Sequence, residues 1–328
     1  MTRYILKRLC EAVPVFFAIV TAVFFMVRFV PGGPFDRERP VSQETIEALN
    51  AYYGLDEPLA AQYFKFLGNL ARGELGPSYK YEGWKVSEIL REKAAVSLEL
   101  GSYALALAIA AGIALGLAAA ARGKIAAFAS GAGLLGICLP AFVLGPLLIL
   151  AFSTKLGAFN SMGWDSPSDA VLPSATLALF YAAWIARLTG NSVRAQMKMP
   201  YVRAARAKGA GEARILFGHV LRNAVSPAIA YLGPAAAGLM TGSFVVETIF
   251  QIPGLGRFFI SSALDNDYTM IMGCVMLYAA FIIIFNLLSD IALAVVNPRI
   301  AREFGKCRPP KEKISAQSPP PCVRSPRC

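Results

Sequence analysis

The ionisable side chains that could do chemistry within the apolar parts of this sequence are few and lie far apart. Four carboxylates, Glu11, Glu99, Glu247 and Asp290, fall near the ends of long apolar runs, and the sequence has one histidine, His219. A proton-coupled carrier is expected to place carboxylates or histidines near the middle of its membrane spans. A carboxylate at the edge of a span is usually solvated or paired with a neighbouring arginine. The pattern therefore disfavours a carrier driven by protons.

Sequence motifs for catalysis are missing as well. No stretch matches a phosphate-binding GxxxxGK[ST] loop, an HExxH zinc motif or a GxSxG nucleophile motif. A single histidine excludes a histidine-based metal cluster within this chain. We therefore expect no catalytic residue, no cofactor and no metal site, and we do not expect the protein to be an enzyme.

Binding chemistry is concentrated instead in residues 199–227, a basic stretch between two apolar runs with the sequence MPYVRAARAKGAGEARILFGHVLRNAVSP. Gly209 and Gly211 divide it into two predicted short helices. The second helix has an apolar stripe at helical spacing, formed by Ala213, Leu216, Phe217, Val220, Leu221 and Ala224. A helix this short cannot cross a bilayer, so we expect it to lie on a membrane surface or in the groove of a partner.

The composition is that of an integral membrane protein. Of the 328 residues, 56% are hydrophobic and 16% are charged, and the mean hydropathy is +0.51. A net charge of +11 could indicate a nucleic-acid partner. The bases, however, lie between apolar runs, as in the cytoplasmic loops of membrane proteins, so no nucleic-acid partner is expected.

Six apolar runs are long enough to cross a hydrocarbon core of about 30 Å. The first is too long for a signal peptide and has no small-residue cleavage site. Pro140 and Pro146 are expected to kink the third, and the fourth is expected to end among Arg187, Asn191 and Arg194. The other predicted spans cover about 9–27, 97–121, 125–152, 228–246 and 270–296, with the fourth beginning near 170.

Charge divides the chain into regions. Residues 1–30 hold the N-terminus and the first span, and 31–96 form a predicted extracytoplasmic segment in which acids outnumber bases. Residues 97–300 form the membrane core, and the Pro-rich residues 301–328 are expected to be a disordered tail. Bases cluster near the N-terminus, in 199–227 and in the tail, so the positive-inside rule predicts that all three are cytoplasmic.

A known signature can be read from Arg203 onward. The order is Arg-Ala-Ala-x-x-x-Gly, then nine residues, then His-x-Leu-Arg. It resembles the EAA signature of ABC importer permeases, E-A-A-x-x-x-G-x9-I-x-L-P. Ala204, Ala205, Gly209 and Leu221 match that signature, whereas it is not matched at Arg203, His219 and Arg222.

Two further stretches resemble the peptide and nickel importer branch of these permeases. YGLDEPLAAQYFKFLGNLARGELGPSYKY is similar to the outer segment of its B-type permease, and VVETIFQIPGLG is similar to its loop after the fifth span. GPSYKY resembles oligopeptide permeases in particular. The resemblance covers the chain up to about residue 302.

The resemblance implies an all-α integral membrane protein of the type I ABC importer permease fold, with six transmembrane helices. It implies a subunit that moves oligopeptides across the bacterial inner membrane by alternating access. The implied partners are a homologous C-type permease subunit, two cytoplasmic ABC ATPase subunits and an extracytoplasmic peptide-binding protein, all acting at a lipid membrane. ATP hydrolysis would take place on the ATPase subunits.

The same resemblance implies roles for individual residues. Ala204, Ala205 and Gly209 would keep the first short helix thin where it meets the ATPase, or they would pack the two short helices on each other. Arg206 and Arg222 would form salt bridges to the ATPase.

The resemblance also covers the outer loop with Glu247, Pro253, Gly254 and Gly256. The two glycines would shape a re-entrant turn near the binding-protein contact. A plain loop turn is the alternative.

Other functions stay open at this stage. Within the same family the substrate could be a dipeptide, glutathione or a nickel chelate. An ATP-independent channel or carrier is disfavoured by the lack of mid-span ionisable residues and of an inverted sequence repeat. A membrane scaffold whose basic stretch binds anionic lipid is the third class. Co-purification with an ATPase would distinguish the importer from the other two.

Overall fold

Helices make up most of the chain. A computed structural model describes residues 2–29, 54, 56–81, 83–121 and 123–296, without the side chains of residues 2–7 and 294. In these ranges the α-helices are α1 Thr2–Phe29, α2 Leu59–Ala71, α3 Val86–Ala120, α4 Lys124–Cys138, α5 Ala141–Leu148, α6 Val171–Gln196, α7 Pro200–Ala207, α8 Glu212–Ile215, α9 Leu221–Ala224, α10 Ser226–Met240, α11 Phe244–Ile249, α12 Leu255–Leu264 and α13 Tyr268–Val296. The predicted tail and the first part of the predicted extracytoplasmic segment lie outside the described residues.

Five helical segments are apolar and long enough to cross a membrane: Arg8–Phe29, Val86–Ala120, Pro167–Gln196, Ser226–Ile249 and Tyr268–Leu293. A sixth crossing exists if Lys124–Cys138 and Ala141–Lys155 count together, although these two are bent by 110°. The predicted kink in the third span is confirmed at Pro140, where it is a sharp bend, whereas Pro146 lies inside α5. Pro140 forces Leu139 into extended backbone with φ −82° and ψ 114°, which ends the helix.

The fourth span is longer than the sequence suggested. Arg187, Asn191 and Arg194 were expected to mark its end, but α6 continues to Gln196. The three polar residues share one face of the helix, while the opposite face, including Val193, is buried. Arg187 therefore lies inside the candidate span Pro167–Gln196 and not at its end, where the sequence had placed it.

The tightest packing in the bundle joins α3 to α6. A Cβ atom added at Gly112 would lie 2.7 Å from Cβ of Ile185, and one added at Gly116 would lie 2.7 Å from Cβ of Thr189. Such distances are too short for real side chains, so glycine is required where the helices cross. Leu100, Ala104, Ala108 and Ala182 continue this interface as buried core residues.

The segment after the first span packs on α1 and on the start of α13. The ring of Tyr63 lies 5.2 Å from that of Phe24, and Arg28 Nε donates to Gln62 Oε1 at 2.8 Å. Farther along, the Ser78 hydroxyl donates to the buried carboxylate of Asp267. Residues 59–80 are thereby fixed to one end of the bundle.

The start of α1 and the end of α13 meet at the other end. Arg8 pairs with Asp290, with Nε 3.2 Å from Oδ2, which confirms the expectation for one edge carboxylate. Val296 borders the same cleft as Tyr201 and His219. We call this the insertion end of the bundle, and the end that carries α2 the hairpin end.

Candidate functional site

The residues singled out by the sequence lie in two places. Residues 199–227, here called the insertion, follow α6 at the insertion end. Residues 242–257, here called the outer hairpin, contain α11, a tight turn and the start of α12 at the hairpin end. The bundle of α3, α6 and α10 separates the two, so no described side chain reaches from one to the other.

The first short helix of the insertion is built as the sequence predicts. Pro200 occupies its first turn, where a missing N–H is tolerated. Arg203, Ala204 and Arg206 are exposed. Gly209 follows the helix with φ +81°, and an added Cβ would meet no atom within 4 Å. The left-handed backbone of Gly209 confirms the predicted helix stop, and the role of Gly209 in a thin contact surface stays a prediction.

The second part of the insertion is helical, and its buried face matches the predicted stripe in part. Val220 and Ala224 are buried as predicted, but Phe217 is 61% exposed and Ile215, outside the predicted stripe, is fully buried. The cause is a wider π-helical turn over Leu216–Val220. It places Val220 five residues after Ile215 on the same side, whereas an α-helix would bring positions three or four apart together.

A small apolar cluster fixes the insertion to the bundle. Val202 from α7 and Ile215, Val220 and Ala224 from the second part pack around Val193 near the end of α6. Leu117 and Ala120 of α3 and Ala205 of α7 add partly buried contacts. The insertion is thus held against the ends of two long helices, while its charged face stays exposed.

Arg206 already has a partner within the chain. Its Nε donates to Glu212 Oε1 at 2.7 Å and its guanidinium NH2 group donates to Glu212 Oε2 at 3.0 Å. This paired geometry raises the pKa of Arg206 above its ordinary value. The bridge spans the turn at Gly209 and connects the two halves of the insertion.

The remaining signature residues border an open cleft of about 840 Å³ between the insertion, α6 and α13. His219 and Arg222 are exposed and line it, with Gln196 and Tyr201 on the facing wall. Leu221 is half-buried behind them. The cleft has a mixed polar and apolar lining in which Arg222 is a cation, and it lies at the insertion end.

Glu247 is the centre of the outer hairpin. It is fully buried, and its Oε1 accepts a hydrogen bond from Ser97 Oγ at 2.9 Å. Its Oε2 accepts from the backbone N–H of Arg257 at 2.9 Å. Ser97 Oγ also accepts from the backbone N–H of Leu255 at 2.8 Å. Both carboxylate oxygens are therefore held by donors, and the group joins α11, α12 and α3.

Three glycines surround this carboxylate. A Cβ atom would lie 2.3 Å from Glu247 Oε1 at Gly242, 2.5 Å from Glu247 Cδ at Gly254, and 2.8 Å from the Phe244 backbone nitrogen at Gly256. The predicted turn role of Gly254 and Gly256 is replaced by close approach, because the positive φ of the turn, 55°, belongs to Gln251. Pro253 is exposed beside them.

The prediction that Glu247 is solvated or paired with arginine is wrong. Its side chain is buried among hydrogen-bond donors from the chain itself, with no ion pair among the described residues. The apolar neighbours of Glu247 and the glycines after it could have indicated burial. Its partner Ser97 is 150 residues away in sequence and gave no local signal.

Comparisons with known proteins point to one family. Residues 108–302, more than half of the chain, match the family described as "Binding-protein-dependent transport system inner membrane component". Residues 1–80 match the family described as "Binding-prot-dependent transport system membrane comp, N-term".

Similar proteins extend over nearly the whole chain. The chain is 38% identical over 304 residues to "Oligopeptide transport system permease protein OppB" of Haemophilus influenzae, covering 92% of this chain and 99% of that protein. It is 39% identical over 302 residues to "Dipeptide transport system permease protein DppB" of Bacillus subtilis, covering 92% and 98%. A solved amino acid ABC transporter aligns with 65% of this chain and 94% of that chain at 19% identity, with a TM-score of 0.46.

Proposed function

The chain belongs to the family of binding-protein-dependent transport system inner membrane components, and we propose that it is the B-type permease subunit of an ATP-driven oligopeptide importer. It is a multi-pass membrane protein and not itself an enzyme. Its task is to provide one half of a path that opens alternately to the two sides of the bacterial inner membrane.

The choice of substrate follows the relatives. The oligopeptide permease of Haemophilus influenzae matches over 99% of its own length, which supports an oligopeptide substrate for this chain. The dipeptide permease of Bacillus subtilis is equally similar, at 39% identity, so a dipeptide is the second candidate. Competition between di- and oligopeptides for uptake by the reconstituted transporter distinguishes the two.

The proposed partners are a homologous C-type permease subunit, two ABC ATPase subunits and an extracytoplasmic peptide-binding protein. The insertion is the proposed ATPase contact, because its exposed face carries Arg203, Ala204 and Arg206. One observation carries this proposal: the cluster around Val193 fixes the insertion to the ends of α3 and α6. A push on the insertion is then transferred directly to two membrane helices.

The same assignment orients the chain. If the insertion contacts ATPases, the insertion end is cytoplasmic, and so is the start of α1, whose Arg8 contacts Asp290. The excess of bases in the insertion supports this orientation. The outer hairpin then lies on the side of the binding protein.

Co-purification tests the ATPase contact. Ala204 is exposed on α7 and outside the buried cluster, so Ala204→Trp adds bulk to the contact face without disturbing the fold. We expect this variant to lose the ATPase subunits and peptide uptake. The matched control is Ala61→Trp, an exposed alanine of α2 at the hairpin end. Retention of ATPase by Ala204→Trp would refute the proposed contact.

A further inference from the structure

Arg187 is a cation inside a membrane span. It lies nine residues before Gln196, the last residue of α6, which is roughly 13 Å along the helix axis. The span Pro167–Gln196 has 30 residues, so this depth falls within a hydrocarbon core of about 30 Å. A charged side chain at such depth faces protein or water, because contact with lipid is costly.

Arg187 differs from the other arginines of the described spans. Arg8 pairs with Asp290, Arg28 donates to Gln62, and Arg194 donates to the Ala119 carbonyl oxygen at 2.9 Å and to Asn191. Arg187 has no hydrogen bond or ion pair within the described part of the chain, and its side chain is exposed. Its guanidinium is therefore available to an anion that this chain does not supply.

Aromatic rings continue from Arg187 towards the hairpin end. The guanidinium carbon lies 5.9 Å from the Trp184 ring centroid. Trp184 lies 6.3 Å from Tyr231 of α10, and Tyr231 lies 6.4 Å from Tyr181. Neither tyrosine hydroxyl has a hydrogen-bond partner among the described residues. We call these four residues the aromatic–arginine array.

Arg187 also borders an open groove. The groove has a volume of about 280 Å³ between α3, α4 and α6, and Asn191 and Arg194 line it as well. In the described ranges no carboxylate lines this groove. Arg187 and Arg194 therefore make the groove positive, and Arg187 connects the groove to the rings of the array through its contact with Trp184.

We propose that the aromatic–arginine array lines the translocation path and that Arg187 binds the C-terminal carboxylate of a passing peptide. This inference rests on the proposed function, since it needs a peptide as cargo. A carboxylate matches the fork of a guanidinium. The rings offer contact to peptide planes and side chains of any sequence, and the free hydroxyls can bond to peptide carbonyls. Every peptide with a free C-terminus carries this carboxylate, so a transporter that binds it can accept peptides of many sequences.

The test uses the complete transporter in proteoliposomes, with its binding protein saturated by one of two pentapeptides. The peptides share a sequence, but one has a free C-terminus and the other a C-terminal amide. We expect the wild type to take up the free peptide about tenfold faster than the amide. Arg187→Gln should remove this difference, and Arg187→Lys should keep part of it. Lys124→Gln, which neutralises an exposed base at the start of α4, should leave it unchanged.

Other results would overturn the inference. Equal uptake of the two peptides by the wild type contradicts it while leaving the proposed function intact, whereas no uptake of either contradicts the proposed function. Equal loss of both peptides in Arg187→Gln would mean that Arg187 pairs with a partner subunit. A defect that follows the anionic lipid content of the vesicles would mean that it binds a headgroup. If the Arg187→Gln subunit does not assemble, the uptake of the free and the amidated peptide is compared in Arg187→Lys and Tyr231→Phe instead.

Discussion

A buried carboxylate such as Glu247 is stable only when the chain supplies its hydrogen bonds. Burying a charged or polar group without partners costs several kcal/mol. Here Ser97 and the backbone N–H of Arg257 supply donors to the two oxygens. Both oxygens of Glu247 must accept hydrogen bonds. Glutamine cannot replace Glu247 here, because an amide presents one acceptor and one donor.

Glu247→Gln is the direct test of that requirement. The amide nitrogen would face either Ser97 or the Arg257 N–H, so one buried donor would lose its acceptor. We expect the free energy of unfolding to fall by roughly 1–3 kcal/mol and uptake to fall with it. Thermal unfolding of the purified chain in detergent measures the first. Glu99→Gln is the control, since Glu99 is exposed and accepts a hydrogen bond from Tyr103; equal losses in the two variants would contradict the assignment.

Gly254→Ala tests the close approach. The new methyl carbon would lie 2.5 Å from the Glu247 carboxyl carbon, so the hairpin must shift or the carboxylate must leave its donors. We expect a loss of about 1–3 kcal/mol, measured in the same unfolding experiment. In Gly68→Ala the methyl group meets no atom within 4 Å on an exposed part of α2. That control should be neutral or stabilised by up to about 1 kcal/mol.

At the scale of elements, the insertion shows what helical periodicity can and cannot predict. The two short helices and their break at Gly209 are as predicted, because turn chemistry is local. The buried face was predicted wrongly at Phe217 and Ile215, because the π-turn over Leu216–Val220 inserts an extra residue into the repeat. Such a turn has no simple sequence signature. Arg187 was predicted at the end of the fourth span but lies inside α6, because polar residues on one helix face resemble a helix end in sequence.

Arg206 has two roles to be separated: it forms the internal bridge to Glu212, and it is proposed to contact the ATPase. Both groups are exposed, so solvent screens the bridge and it adds little to stability. Arg206→Glu alone should weaken ATPase binding whichever role applies. In the double variant Arg206→Glu, Glu212→Arg the internal bridge is restored with its charges exchanged.

If Arg206 acts on the ATPase, the double variant stays defective in a pull-down, which is the outcome we expect. Recovery of binding would instead show that the bridge shapes the insertion and that the sign of the charge does not matter. Unfolding temperatures of both variants should stay within a few degrees of the wild type.

For the whole molecule, composition and run length predicted a membrane protein with six spans, and the described residues have five spanning helices plus a sixth crossing if the bent pair is counted as one. The resemblance at Ala204, Ala205, Gly209 and Leu221 correctly indicated the family. Contacts distant in sequence could not be predicted. Ser97 to Glu247 and Ser78 to Asp267 each join residues more than 100 positions apart. No local pattern encodes such pairs.

Orientation is testable on intact cells. In a background without the native cysteines, Lys208→Cys reports the insertion and Lys65→Cys reports α2, since both lysines are exposed. A membrane-impermeant maleimide applied from outside the inner membrane should label Lys65→Cys and leave Lys208→Cys unlabelled. After permeabilisation both should react. The reverse pattern before permeabilisation would reverse the proposed topology.

Close packing at two glycines makes α3 and α6 one rigid unit. Because Gly112 and Gly116 admit no gap, neither helix can slide past the other without a clash. This rigid unit contacts the insertion through Leu117 and donates a hydrogen bond to the Glu247 carboxylate through Ser97. With 35 residues, α3 is roughly 50 Å long. If α3 tilts by about 5° around one end, its other end moves by roughly 4 Å. A small movement at one membrane face is therefore transmitted to the other face.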